Sequence, residues 1–242
     1  MAEVPKIRRL LLKISGESLT TKGELGIDPQ QIDGVAKQIQ ALNDAGVEVA
    51  LVVGGGNLMR GKVLAEAGVD RGTADHMGML ATAINCLAMQ DALERCGLDT
   101  RAMSAVDMNS FMEPYVRRRA DRHLSRGRVV LLACGTGNPY CTTDTAAALR
   151  ATELHVDALF KATKVDGIYT ADPVKDPDAT KIEHLTFREA LDQDLQVMDL
   201  TAFTMCMENR MPVLVFDLFE AGNLMKAIGG EKIGTWVTMS RD

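Results

Sequence analysis

The 242-residue sequence predicts an α/β protein built on a mainly parallel sheet. Three observations predict it. Short apolar runs, such as "LLL" within Arg9–Ser15 and "VEVALVV" ending at Val53, have the pattern of strands covered on both faces. Segments with apolar residues at helical spacing alternate with those runs. Glycine clusters at Gly16, Gly54 to Gly56 and Gly135 to Gly137 follow the runs, at the C-terminal strand ends where such sheets bind ligands.

The elements follow in order. Arg9 to Ser15, "RLLLKIS", reads as a buried strand ending in a loop at Gly16. Asp28 caps a helix with Pro29 in first position, and Ile32, Val35, Ala36, Ile39 and Leu42 recur along it until Gly46 stops it. After the strand "VEVALVV", residues Met77, Leu80, Ala81, Ile84, Leu87 and Ala88 mark a long helix. Asp75 stands where it would cap that helix, and the helix methionines suit the core or a subunit contact. "TRAMSAV" is strand-like, Tyr115 to Arg126 reads as a helix with Arg117, Arg118 and Arg119 on a solvated face, and "RVVLLAC" is another strand. Asp144 opens a helix after "GTGNPYCTTD". The strand "VDALFKA" precedes a loop from Asp166 to Asp178, in which Asp172-Pro173 reads as a turn initiator. Helices near Arg188 and Ala202 follow, and "MPVLVF" and "GTWVT" close the sheet. No linker, low-complexity tract or internal repeat divides the chain, so residues 1–242 read as a single domain.

Composition narrows the function classes. With 27 Lys plus Arg against 33 Asp plus Glu, the net charge of −6 disfavours a non-specific grip on nucleic acid. No apolar run reaches the roughly 18 residues of a membrane span, and the first apolar run is too short for a signal peptide, so the expected location is the cytoplasm. Cys86, Cys96, Cys134, Cys141 and Cys206 form no C-x-x-C pair, and His76, His123, His155 and His184 lack metal spacing. No metal ligand set is therefore expected from the chain, and no Ser-His-Asp or G-x-S-x-G arrangement is visible.

The glycine loops suit phosphate, because glycine lets backbone N–H groups approach an anion and the following helix adds its positive end. The stretch from Gly56 to Lys62 reads G-x-x-x-x-G-K, but Val63 stands where that loop needs Ser or Thr. Met59 and Tyr140 likewise break G-x-G-x-x-G. Lys13 ends an apolar strand beside Gly16, Lys161 repeats the arrangement in "ALFKATK", and Asp144 lies after the third glycine loop. Two cations and a carboxylate beside such loops form a clamp for phosphoryl groups, unless the lysines merely snorkel to solvent.

Taken together, "LLLKISGE", "VVGGGNLMRG", "DHMGMLAT", "GTGNPYCTTD", "KATKVDGIYTADP" and "VMDLTAF" resemble the bacterial UMP kinases, a branch of the amino acid kinase family, in order over nearly the whole chain. The resemblance implies a three-layer α/β/α sandwich, a homohexamer, and transfer of the ATP γ-phosphoryl group to UMP with Mg²⁺ present. It implies that Lys13, Ile14, Ser15 and Gly16 hold the donor phosphates, with Gly56 and Arg60 also facing ATP. Thr163, Tyr169 and Asp172 would shape the ATP nucleoside pocket. Gly55 would face UMP, Asp75 would bind its ribose, and Thr136, Gly137, Asn138, Pro139, Tyr140, Cys141, Thr142 and Thr143 would wrap its phosphate and uracil. Asp144 would orient Lys13 and Lys161 around the transferring group, with Asp199 nearby.

Some relatives respond to a nucleotide effector, UTP or GTP. GTP acts there through basic residues on the long helix, where this chain carries Gln90 and Glu94; Arg101 and Arg128 remain for an effector pocket between subunits. Two rival readings are a relative phosphorylating a carboxylate or carbamate, and a non-catalytic oxoanion-storage relative. "GTGNPYCTTD" and "DHMGMLAT" fit a nucleotide acceptor better than the first, and the second need not keep Lys13, Lys161 and Asp144.

Overall fold

The computed structural model describes residues 6–21, 24–59, 61–171, 176 and 178–240. The strands are β1 (Arg9–Ile14), β2 (Glu48–Val53), β3 (Thr100–Ser104), β4 (Glu113–Pro114), β5 (Val129–Ala133), β6 (Ala158–Thr163), β7 (Ile168–Tyr169), β8 (Lys181–Ile182), β9 (His184–Thr186), β10 (Val213–Asp217) and β11 (Thr235–Thr238). The helices are α1 (Pro29–Asp44), α2 (Gly61–Glu66), α3 (Arg71–Arg95), α4 (Arg117–Leu124), α5 (Thr143–Glu153), α6 (Phe187–Asp192), α7 (Leu200–Glu208) and α8 (Asn223–Ile228). Among the described residues nine strands form one sheet in the order β4-β3-β5-β2-β1-β6-β10-β11-β9, and β7 pairs with β8 separately. Within the large sheet only β10 and β11 run antiparallel.

Alternation along the strands builds two cores. Leu10, Leu12 and Ile14 face the side covered by Ile32 and Ile39 of α1 and Met89 of α3. Leu11, Val52 and Leu159 face Ala120 of α4, Ala147 of α5 and Phe203 of α7. Helices thus cover both faces of the sheet, the expected three-layer α/β/α sandwich. Period two puts Lys13 and Lys161 on the second face, with Leu11 and Leu159, at the C-terminal ends of β1 and β6.

The first helix forms as its sequence dictates. Asp28 accepts the Gln30 amide at its N-terminus, Pro29 occupies the first turn, and the five expected apolar residues are its buried ones. Thr186 and Glu189 form a reciprocal capping box on α6. Helix α3 departs from expectation in two ways. It begins at Arg71, capped by Asp70, so Asp75 lies inside it and is not its cap. Its expected apolar stripe is also turned outward in part: Leu80 is 54% and Ile84 52% exposed, while Met79, Ala83, Cys86 and Met89 are buried. The helix carries apolar or small residues around most of its circumference, so spacing alone cannot select a face. Helices α2 and α8 and the one-turn 3₁₀ helix Gly16–Leu19 lie outside the sequence expectation, being too short for a periodic signal.

Phe160 in β6 anchors the first core, with the rings of Phe216 and Trp236 edge-on at 5.8 Å each. Phe160→Ala is expected to cost about 3–5 kcal/mol in chemical denaturation, the range for emptying a fully buried aromatic site. A loss under about 1 kcal/mol would show that the surrounding rings close the space.

Candidate active site

Lys13 and Lys161 are direct register partners on neighbouring parallel strands. Asp144, in the first turn of α5, reaches between them. Its Oδ1 lies 2.8 Å from Lys13 Nζ and its Oδ2 accepts from Lys161 Nζ at 2.6 Å. The Lys13 contact is an ion pair without hydrogen-bond alignment, and Oδ1 keeps no aligned donor. Lys161 also donates to the Val197 carbonyl at 2.7 Å. All three side chains are 13–16% exposed, so neither lysine snorkels into open solvent. Burial pushes the Asp144 carboxyl upward, but the Lys13 and Lys161 charges outweigh it and hold the group below the ordinary aspartate value. Burial pushes the Lys161 ammonium below the ordinary lysine value; Asp144 opposes that shift and Lys13 adds to it.

The glycine loops after β1 and β2 meet beside this trio. A Cβ on Gly16 would fall 2.6 Å from the Gly56 amide nitrogen and 2.7 Å from the Gly54 carbonyl. One on Gly55 would fall 2.8 Å from Ala81 Cβ of α3. Both positions require glycine because backbone passes against backbone or helix, leaving no room for a side chain. Asn57 and Asn85 lock the assembly: each donates its side-chain amide to the other, at 3.0 and 2.7 Å, and Asn85 also donates to the Gly54 carbonyl at 2.7 Å. Neither side chain is among the expected site groups. The available signal was a fully polar side chain, Asn85, amid apolar helix residues, since a buried amide needs partners.

A cavity of about 470 Å³ opens between these loops, α3 and the loop before α5. Gly55, Asp75, Thr136, Asn138, Cys141, Thr142 and Thr143 line it, which brings together seven of the residues expected around UMP, and Gly56 lines it too. Asp75 accepts the Tyr140 amide at 2.8 Å and both its oxygens lie 3.0 Å from Arg71 Nε. Arg71, also a lining residue, was not anticipated; four positions before Asp75, it sits one helical turn away. Gly137, Pro139 and Tyr140 belong to the same loop but lie outside that lining, and the Tyr140 side chain is 72% exposed.

A second cavity of about 570 Å³ adjoins Asp144, Lys161 and Asp199. Asp199 caps α7 by accepting the Ala202 amide at 3.0 Å, and its other contacts tie it to α5. Thr142 donates to it, and the Thr145 hydroxyl does so at 3.1 Å. Thr142 in turn caps α5. Beneath the site, burial holds the Cys206 thiol up at about 12, so it offers no thiolate nucleophile. Thr163 ends β6 with its hydroxyl donating to the Val165 carbonyl at 2.6 Å, and Tyr169 donates to Asp166 at 2.7 Å. Neither lines the two cavities. Arg60 and Asp172 lie outside the described residues. Among the described residues no three His, Cys, Asp or Glu side chains cluster to hold a metal ion.

Known proteins resemble this chain throughout. The amino acid kinase family profile matches residues 8–217. A uridylate kinase of Dichelobacter nodosus (strain VCS1703A) is 54% identical over 233 residues, spanning 96% of this chain and 97% of that protein. The crystal structure of UMP kinase from Bacillus anthracis superposes with a TM-score of 0.94 at 34% identity, covering 97% of each chain. That of UMP kinase from Ureaplasma parvum gives 0.91 at 35% identity, over 96% of this chain and 99% of the other.

The depressed Asp144 carboxyl has a stability consequence. A group with a lowered folded-state value stabilises fully above its unfolded value, about 3.9, and that contribution disappears as pH falls through the lower folded value. Asp144→Asn is therefore expected to flatten the acid limb of a melting-temperature profile below about pH 4. An acid limb as steep as wild type would show that the lysine pair does not hold the carboxylate charged.

Proposed function

The chain belongs to the amino acid kinase family, and we propose that it is a UMP kinase, transferring the γ-phosphoryl group of ATP to UMP to give UDP and ADP. The observation that carries this reading is the Lys13–Asp144–Lys161 trio, close to a glycine-lined cavity whose wall includes seven of the residues expected around UMP.

The UMP phosphate is itself the nucleophile, so the reaction needs alignment and charge neutralisation more than a strong base. In this proposal the amides of Ser15, Gly16 and Gly56 meet the donor phosphates next to Ile14, helped by Arg60. Thr163, Tyr169 and Asp172 receive the ATP nucleoside. Gly55 and the N-terminus of α5, at Thr142 and Thr143, hold the UMP phosphate; Asp75 takes the ribose, and Thr136 to Cys141 enclose the uracil. Lys13 and Lys161 neutralise charge on the moving phosphoryl group, and Asp144 fixes both ammonium groups so that no reorganisation is needed. Asp199 tethers the two helix N-termini beside them.

Mg²⁺ fits this donor set as a companion of ATP. Two carboxylates, Asp144 and Asp199, stand beside the lysines, and Mg²⁺ is commonly held by one or two carboxylates plus substrate phosphates. When bound, it supplies further neutralisation of the phosphate oxygens.

The exposed Leu80, Ile84 and Leu87 on α3 support self-association, and we propose a homohexamer, the assembly the family resemblance implies. Arg101 and Arg128 converge on Asp99 at 2.5 and 2.6 Å; Arg101 lines a hollow of about 370 Å³, which suits a nucleotide effector, UTP or GTP. Gln90, also on its wall, bonds Glu94 at 2.8 Å. Among the described residues no helix is long and apolar enough to cross a membrane. The proposed setting is the cytoplasm.

The deciding experiment is an ADP-release assay with UMP, CMP, N-acetylglutamate or no acceptor. Turnover with UMP far above the rest supports the reading, and equal or greater turnover with the amino acid would overturn it. Lys13→Ala should lower kcat by about 10² or more, the scale of a lost transition-state charge contact. Unchanged kcat would remove Lys13 from the mechanism. Asp75→Ala should mainly raise KM for UMP while melting temperature holds; the reverse pattern would make Asp75 a purely structural partner of Tyr140.

A further inference from the structure

Arg150 is a charged residue that the mechanism above does not use, and it is only 6% exposed. It lies on α5, two turns past the acceptor loop. Its guanidinium stacks over the Tyr115 ring at 3.9 Å, Nη1 donates to Glu153 Oε2 at 2.7 Å, and Nη2 donates to the Gly135 carbonyl at 3.3 Å. The Tyr115 hydroxyl donates to the same Glu153 oxygen at 2.7 Å. A buried guanidinium is costly unless its planar fork is filled, and here a carboxylate, a ring and a carbonyl fill it.

The carbonyl it holds belongs to an unusual bend. Cys134 and Gly135 are both left-handed, at φ 61° and 59°, and Cys134 is not a residue that adopts this conformation readily. On its other side the Cys134 amide donates to Thr82 of α3 at 2.8 Å. The bend is thus held by Thr82 from one face of the sheet and Arg150 from the other. Thr136 comes next and lines the acceptor cavity, while the far end of the loop, Thr142, caps the helix that carries Arg150. Arg150 therefore ties the start of the acceptor loop to the helix that begins at its end. An apolar side chain there would fill space but leave the Gly135 peptide free to turn.

We propose that Arg150, seated between Tyr115 and Glu153, is a positioning residue that sets the conformation of the Gly135–Thr136 bend and through it the preference for uracil over cytosine. This rests on the UMP reading above. A base-selective pocket discriminates through fixed hydrogen-bond partners, so a loop free to turn loses selectivity before it loses chemistry.

The test is steady-state kinetics of the full chain with UMP and with CMP. Arg150→Met keeps the stem and removes the fork. It should raise KM for UMP about tenfold or more and shrink the UMP-over-CMP ratio of kcat/KM by a similar factor. Its kcat at saturating UMP and its KM for ATP should stay within about twofold of wild type. Arg150→Lys should fall between. An unmoved KM and ratio in Arg150→Met, whatever its melting temperature, would reduce Arg150 to a structural ion pair. If that variant does not fold, Tyr115→Phe and Glu153→Gln decide by the same two readouts. Wild-type enzyme that fails to turn over UMP would sink the acceptor reading and this inference together; a working wild type with unmoved variants sinks this inference alone.

Discussion

Lys13 and Lys161 lie opposite one another on adjacent strands, where like charges repel, and the candidate site exists because one buried carboxylate stands between them. Asp144 accomplishes this because α5 sits close to the sheet. Ala146, Ala147, Ala148 and Ala151 are all buried, and their small size lets the helix approach until its first turn reaches both ammonium groups. Removing one partner from such a buried set typically costs about 3–5 kcal/mol, far more than a surface pair contributes, so the trio also fixes where α5 can lie.

Two helix N-termini converge at this point. Asp199 at the start of α7 holds Thr142 and Thr145 at the start of α5, so the positive ends of both helices point into the region the lysines occupy. A protein of net charge −6 therefore carries an amide-rich site in which Asp144 and Asp199 balance the two lysine charges, and the backbone donors and helix ends are what favour an anion. The glycine loops complete it from the other side of the sheet. Their close approach, at Gly16 over Gly56 and at Gly55 under α3, exposes backbone donors where a side chain would shield them. The Asn57–Asn85 pair satisfies the polar groups that this packing takes out of water.

Strain concentrates in the loop that frames the cavity beside the glycine loops, where Cys134, Gly135, Gly137 and Tyr140 are all left-handed. Such a loop holds its shape only if its surroundings over-determine it, and here they do: Thr82, Asp75 and Arg150 each bond its backbone from a different helix position. Its form is an outcome of α3 and α5 being correctly placed.

Local chemistry made much of the molecule legible in the sequence. The first helix was readable to its cap and its five buried residues, because Asp28, Pro29 and the 3.6-residue period act within a few positions of each other. The six main parallel strands were readable because apolar runs between turn residues have few other uses, and the lysines stood out as charges ending such runs. The face of α3, the amide lock between Asn57 and Asn85, and the Arg150 bridge to Gly135 were decided only by tertiary structure. Each depends on a partner outside its own segment, 15 residues away for Arg150 and 28 for the asparagine pair, or on which side of an all-round apolar helix meets the sheet. A hydrogen-bonding side chain does not encode its partner's address; the packed fold supplies it.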